Sequence, residues 1–189
     1  DFALEGGAIE TDGDGTLLTT WQCLHERHPD ASRGELTAKL AGWLRQERVL
    51  WLDHGALEGD DTDAHIDTLA RFAAPDAIVF QACDDLTDSH YADLQAMAEE
   101  IAALRTKYGK PYRLFPLPWA QPILDIAADR SERRLAASYA NFLIVNGAVL
   151  RGLPFPESDR IVHLAPFNMA EQDDEDARVH TFAELRDRQ

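Results

Sequence analysis

One order of elements occurs twice in this chain, and that repetition constrains the fold more than anything else in the sequence. Residues 6–53 read as hairpin, helix, strand, and residues 66–117 read the same way. In the first copy, Ala8-Ile9-Glu10 and Thr16-Leu17-Leu18-Thr19-Thr20 flank Asp12-Gly13-Asp14-Gly15. Asp-Gly pairs between β-formers signal a hairpin, because Gly takes positive φ without steric cost. After a loop holding Pro29, Ser32 precedes Glu35 at capping-box spacing, and Leu36, Leu40, Trp43 and Leu44 follow at helical intervals. Residues 48–53 form a short apolar strand.

In the second copy, residues 66–73 and 77–82 are strands joined at Pro75-Asp76. Residues 85–108 are a long helix with Tyr91, Leu94, Met97, Ile101 and Leu104 on one face, and Gly109 stands near its C-cap. Residues 112–117 are the closing strand. A third copy is less regular. A Pro-rich connection (Pro116, Pro118, Pro122) and a charged segment, 129–134, lead to a strand over 136–145, which Asn146-Gly147 turns back into 148–151. A strand over 160–164 and a helix over 171–186, acidic at its start and Arg-bearing at its end, follow. Single ββαβ units cannot bury their own faces, so they must pack against one another. The expected fold class is α/β, in units of about 1–54, 55–118 and 136–189.

Composition narrows the function classes. The net charge of −16 argues against a nucleic-acid partner, which demands a basic face. An apolar fraction of 45% suits a folded globular chain, and no apolar run approaches the roughly 18 residues of a membrane span. The start, Asp1-Phe2-Ala3-Leu4, has neither a signal peptide's basic region nor an initiator Met, and reads as a chain entered midway. Cys23 and Cys83 are too few for a disulfide framework, so a reducing, cytoplasmic setting is expected.

Chemistry concentrates in residues 57–72. Glu58, Asp60, Asp61, Asp63 and Asp67 surround His65 and run at once into Ile66, Leu69 and Phe72. Like charges crowded against apolar residues drive pKa values apart, which marks candidate sites, although a solvated acidic loop would show the same letters. On a strand, His65 and Asp67 would share a face, one able to shuttle protons and the other to hold a cation. Glu5-Gly6-Gly7 sets a carboxylate beside a backbone free to approach closely. Two other readings compete. Asp12-Gly13-Asp14-Gly15-Thr16 matches the signature of haloacid-dehalogenase-like phosphatases, yet it lies between β-formers where a hairpin turn is the simpler reading. The acidic cluster with His54 and His65 could take a divalent metal, but no defined loop spacing is present, so neither metal nor cofactor is expected.

Together, these residues resemble the agmatine deiminase and bacterial peptidyl-arginine deiminase-like family of the guanidine-modifying (pentein) superfamily. The matching segments are Leu4-Glu5-Gly6-Gly7-Ala8-Ile9-Glu10, then Gly15 to Thr20 with Cys23-Leu24. After them come Asp60-Asp61-Thr62-Asp63-Ala64-His65-Ile66-Asp67 with Arg71-Phe72, and Ala137-Ser138-Tyr139-Ala140-Asn141 with Asn146-Gly147. The resemblance covers about residues 1–150 and implies a propeller of five ββαβ units, of which this chain holds about three. It implies hydrolysis of a guanidino compound, agmatine or an arginine derivative, to a ureido product and ammonia through a covalent Cys intermediate. The resemblance further implies a place in the biosynthesis of putrescine and other polyamines. His65 matches the general acid/base, Glu5 its partner and Asp67 a guanidinium-binding carboxylate, with Asp61 as a second substrate-binding candidate. The nucleophilic Cys has no match here, and Cys23 corresponds to a family Cys in another role. The chain alone is therefore expected not to turn over. A non-catalytic remnant that binds a cationic ligand is the alternative. The expected partners are a small cationic guanidino substrate and, with self-association left open, a second copy of the chain.

Overall fold

Thr16-Leu17-Leu18-Thr19-Thr20 is buried at all five positions, which makes it the spine of the first sheet. The computed structural model describes residues 2–126, 132–145, 148–151 and 163–166. It divides into two units, Asp1–Ala140 and Asn141–Gln189. In the first unit β2 (Thr16–Thr20) runs antiparallel to β1 (Ile9–Thr11) and parallel to β3 (Arg48–Leu52), giving the order β1-β2-β3. The expected hairpin turn is there. Asp12 Oδ1 accepts from the backbone N–H of Asp14 (2.8 Å) and of Thr16 (2.9 Å), and Lys107 Nζ donates to Asp14 Oδ1 at 2.6 Å. Both carboxylates of the phosphatase-like signature are thus occupied in holding a turn, and the phosphatase reading is not favoured.

Two helices cross from β2 to β3. The sequence reading missed α1 (Trp21–Arg27), whose N-cap Thr20 accepts from the Cys23 N–H. The second, α2 (Arg33–Leu44), has the expected capping box. Ser32 Oγ accepts from Glu35 N–H at 3.3 Å and Glu35 Oε2 accepts from Ser32 N–H at 2.8 Å, an arrangement contributing about 1 kcal/mol. Leu36 and Leu40 are buried, but Trp43, expected on the same face, is 60% exposed and meets Phe2 edge-on.

The second sheet repeats the first. β4 (Ala70–Ala74) pairs antiparallel with β5 (Ala77–Gln81), and β6 (Arg113–Leu117) returns parallel to β5 after α3 (Tyr91–Ala103). Two expectations change here. Residues 66–73 are not one strand: Ile66–Thr68 is a 3₁₀ turn, closed by Leu69 N–H to the Ile66 carbonyl, and pairing starts at Ala70. The helix is shorter than 85–108: it ends at Ala103 and starts only at Tyr91, because Asp85 and Asp88 use their side chains on the N–H groups of Thr87 and His90 to make turns ahead of it. The apolar face is as read, with Leu94, Met97 and Ile101 buried.

One core joins the two sheets: Leu18 and Leu52 of the first pack with Leu69, Ile78 and Phe80 of the second and with Leu94, Met97 and Ile101 of α3. Each fully buried Leu or Ile contributes about 1.5–3 kcal/mol, so each sheet draws stability from the other's apolar face.

The Pro-rich, charged connection holds an unexpected ribbon, β7 (Ile123–Ile126) antiparallel to β8 (Glu132–Leu135). The strand expected over 136–145 begins only at Phe142. In the second unit, β9 (Phe142–Val145) and β10 (Ala148–Arg151) form a hairpin in which Val145 faces Ala148, and β11 (His163–Pro166) lies antiparallel to β10. The Asn146-Gly147 turn, most of the strand over 160–164 and the helix over 171–186 lie outside the described residues. Among the described residues, no helix is long and apolar enough to cross a membrane.

Candidate active site

β2 assembles the site from its C-terminal end. Successive strand residues point to opposite faces, and here two buried threonines reach two different segments. Thr19 Oγ1 donates to the Ala8 carbonyl at 2.7 Å, fixing the 3₁₀ turn Gly6–Ala8 behind Glu5. Thr20 Oγ1 donates to the Ala64 carbonyl at 2.7 Å, fixing the residue before His65. The acidic loop supplies the rest of the scaffold. Asp60 Oδ1 accepts from the Thr62 N–H and hydroxyl (3.1 and 2.6 Å), and its Oδ2 accepts from the Ala64 N–H at 2.8 Å. Asp63 and Ala64 take the left-handed conformation, with φ of 60° and 64°, a local strain that this network sustains. His65 then opens the 3₁₀ turn, its carbonyl accepting from the Thr68 N–H and hydroxyl.

The result brings Glu5, His65 and Asp67 together. Glu5 Oε2 stands 4.0 Å from His65 Nε2, and both atoms are buried without a hydrogen-bond partner. His65 and Asp67 converge by a route different from the one expected. They are not alternate residues of a strand but the start of a 3₁₀ turn, and both lie against Gly7. A Cβ on Gly7 would come within 2.6 Å of His65 Nδ1 and 2.8 Å of Asp67 Oδ2, so this glycine is required for close approach. Gly7→Ala is accordingly expected to displace both side chains and destabilise the chain by about 1–3 kcal/mol, measured by urea denaturation. An unchanged midpoint would mean that the two side chains move aside freely.

Arg27, which sequence reasoning missed together with α1, organises the charge. Its Nε donates to Glu5 Oε1 at 2.7 Å, its Nη1 to Asp63 Oδ2 at 2.5 Å and its Nη2 to the Thr62 carbonyl at 3.2 Å. The guanidinium holds the Glu5 carboxyl below the usual range, so Glu5 faces His65 ionised. Burial pushes Asp67 the other way, upward, against the pull of His65 and Arg71. Burial also lifts the fully buried Cys23 thiol to about 11, which leaves it protonated near neutral pH. Asp61, the other expected contact, is exposed, while Asp60 and Asp63 do the structural work. His54 belongs elsewhere: its Nδ1 is 2.6 Å from Glu100 Oε1 on α3.

The last motif is anchored behind the same turn. Ser138 Oγ donates to the Thr68 carbonyl at 2.5 Å, and Tyr139 N–H donates to Oε1 of the buried Gln81 at 3.0 Å. The arrangement as a whole pairs a carboxylate with an imidazole, both presenting unfilled hydrogen-bonding atoms, beside a second carboxylate. Such a site can exchange protons and bind a planar cation.

Known proteins are similar to this chain. The agmatine deiminase of Pseudomonas fluorescens is 37% identical over 164 residues, 79% of this chain and 44% of its own length. A putative agmatine deiminase of Vibrio parahaemolyticus is 39% identical over 175 residues, 84% of this chain and 47% of its own length. The chain thus spans a little under half the length of these curated relatives. Among solved structures, a putative arginine deiminase from Porphyromonas gingivalis superposes with a TM-score of 0.75 at 52% identity, covering 84% of this chain and 46% of that one. An agmatine deiminase of C. jejuni with substrate bound gives 0.72 at 38% identity, covering 84% and 45%. The model of the Porphyromonas-type peptidyl-arginine deiminases matches residues 1–160, a span that contains Glu5, His65 and Asp67 with their whole scaffold, and the chain belongs to that family.

Proposed function

We propose that this chain carries the proton-transfer and cation-binding half of a guanidino-group hydrolase that converts agmatine or an arginine derivative to its ureido product and ammonia. The observation that carries this reading is the Glu5–His65 pair, an ionised carboxylate facing a buried imidazole nitrogen at 4.0 Å with neither atom hydrogen-bonded. A guanidinium presents a flat fan of N–H donors, which carboxylates satisfy in pairs. Asp67 and the exposed Asp61 are the proposed acceptors. His65, oriented by Glu5, donates a proton to the departing ammonia and takes one from the water that follows.

The attacking group is a thiolate in this scheme, and it forms a covalent bond to the guanidinium carbon that water later breaks. Neither cysteine here is assigned that part. Cys23 is fully buried with its thiol pushed up to about 11, the reverse of an activated nucleophile, and burial raises Cys83 as well. The nucleophile is proposed to lie outside residues 1–189, so the chain alone binds but does not turn over. The proposal includes a five-unit propeller, with units near 1–54, 55–118 and 136–189, and a cytoplasmic place in polyamine formation. The twofold recurrence of one sheet topology supports the repeating units, and the names of the relatives support the guanidino substrate.

Colorimetry for ureido product tests it, with agmatine and an arginine-containing peptide offered to the full-length gene product and to the 189-residue chain. Product from the former alone is expected. No ureido product from either substrate with the full-length protein would remove the assignment, and turnover by the 189-residue chain would remove the external nucleophile.

A further inference from the structure

The trio of Glu5, Cys23 and His65 has a property the deiminase reading does not use. Their ligand atoms, one oxygen, one sulfur and one nitrogen, all lie within 4.8 Å of one another, and no other such set of three occurs among the described residues. Two polar atoms of these residues, Glu5 Oε2 and His65 Nε2, are buried with no hydrogen-bond partner, an expensive arrangement unless something enters between them. Each of the three residues is also held from behind, Glu5 at its side chain and the other two at the backbone. Arg27 grips the other oxygen of Glu5, the Thr20 hydroxyl accepts the Cys23 N–H, and the 3₁₀ turn fixes the His65 backbone. The Arg27 contact on Glu5 is the kind of support that orients a metal ligand. Near the sulfur stand the Arg27 guanidinium and the carboxylates of Glu5, Asp63 and Asp60.

We propose that Glu5, Cys23 and His65 bind one divalent cation of the zinc class, leaving a fourth position open to water. The donor set decides the class. A thiolate disfavours magnesium and calcium, whereas sulfur, imidazole nitrogen and carboxylate oxygen together suit zinc or cobalt. Bonds of about 2.0–2.3 Å place tetrahedral ligands roughly 3.3–3.8 Å apart. The trio, with its atoms within 4.8 Å of one another and His65 Nε2 at 4.0 Å from Glu5 Oε2, would have to contract by up to about 1.5 Å to reach that geometry. On coordination the Cys23 thiol releases its proton to solvent, and the Cys23–metal bond is the only new bond to sulfur. Because the cation takes the open atoms of Glu5 and His65, it blocks proton transfer there; this consequence, unlike binding itself, rests on the function proposed above.

Cobalt and zinc titrations of the 189-residue chain test the site without any reading of turnover. In a Cys83→Ser background, which leaves Cys23 as the sole thiol, Co²⁺ is expected to give a thiolate-to-cobalt charge-transfer band and tetrahedral d–d absorption at one equivalent, both erased by Zn²⁺. The band should vanish in Cys23→Ser. His65→Ala should weaken Zn²⁺, measured against a chromogenic chelator, by at least about tenfold, the loss that even an outer partner of a ligand causes. No charge-transfer band in the Cys83→Ser chain overturns the proposal, as does a zinc affinity unchanged by His65→Ala. Should Cys23→Ser fail to fold by circular dichroism, the spectrum of the Cys83→Ser chain and the His65→Ala comparison still decide. A failed deiminase assay leaves these readings intact.

Discussion

Replacing His65 with Gln in the full-length protein is expected to lower kcat for guanidino hydrolysis by about 10²–10⁴-fold, the span that a positioned general acid/base supplies. The fold should survive, because none of the contacts that build the loop passes through the imidazole. Thr20 holds the Ala64 carbonyl, Asp60 holds the Thr62 and Ala64 amides, and Arg27 holds Asp63. Gln removes the titrating nitrogen and keeps a polar side chain of comparable reach. A thermal midpoint matching the parent protein, together with the lost rate, would assign the effect to chemistry. Glu5→Gln should act in the same direction but less, since it removes an orienting charge and leaves the proton carrier. A His65→Gln protein that keeps its rate would transfer the acid/base role to another group and leave the Glu5–His65 pair as packing.

The sheets were largely legible because each is announced by local chemistry. Asp12-Gly13-Asp14-Gly15 and Pro75-Asp76 turn two hairpins, and Ser32 with Glu35 starts α2, so the ββαβ order emerges from short-range signals that the fold keeps. The misses share a cause, which is that long-range contacts override local pattern. Residues 66–68 have strand-like letters, yet Thr20 and Ser138, 44 and 70 residues away from the carbonyls they bind, fix a 3₁₀ turn there. A strand is therefore the wrong geometry for the pairing of His65 with Asp67, and the Gly7 contact shows how closely both approach one backbone position. Arg27 was invisible for a related reason. Trp21-Gln22-Cys23-Leu24 offers a weak helical pattern, and no local signal tells that an arginine one turn beyond Cys23 will meet Glu5 and Asp63. The one available cue was Thr20 at N-cap spacing before Cys23. The ribbon β7–β8 was hidden by prolines and charges, whose reason to fold becomes apparent only in Arg134.

Asp88→Ala is expected to destabilise the chain by about 3–5 kcal/mol, the cost of leaving one partner of a buried ion pair alone. The Asp88 side chain is 4% exposed and accepts five hydrogen bonds. Arg134 gives two, at 3.0 and 2.7 Å, Trp119 Nε1 gives one at 2.9 Å, and the backbone and Nδ1 of His90 give the others. Because His90 Nε2 accepts the Glu58 N–H at 2.7 Å, the ring proton sits on Nδ1 and goes to Asp88. One carboxylate thus ties the ribbon β7–β8, the start of α3 and the acidic loop to each other. A Cβ on Gly59 would collide with the Arg134 carbonyl, which shows how tightly the ribbon lies over that loop. Arg134 before all else holds the Asp88 carboxyl far below the ordinary range. For a carboxyl whose folded pKa is depressed, the stabilisation is complete above its unfolded value, about 3.9, and declines as pH falls below it. Urea denaturation should therefore show the full gap between the parent chain and Asp88→Ala at pH 7 and a smaller one at pH 3. Asp88→Asn should fall between them at pH 7, since the amide keeps the shape and an acceptor but not the charge that Arg134 needs. Hydrogen exchange gives the link to the site: amides of Glu58 to Ala64 should lose protection in Asp88→Ala, because their loop is held at Glu58 through His90. If those amides stay protected while global stability falls, the carboxylate anchors the ribbon alone and the loop before His65 stands by Asp60, Thr20 and Arg27.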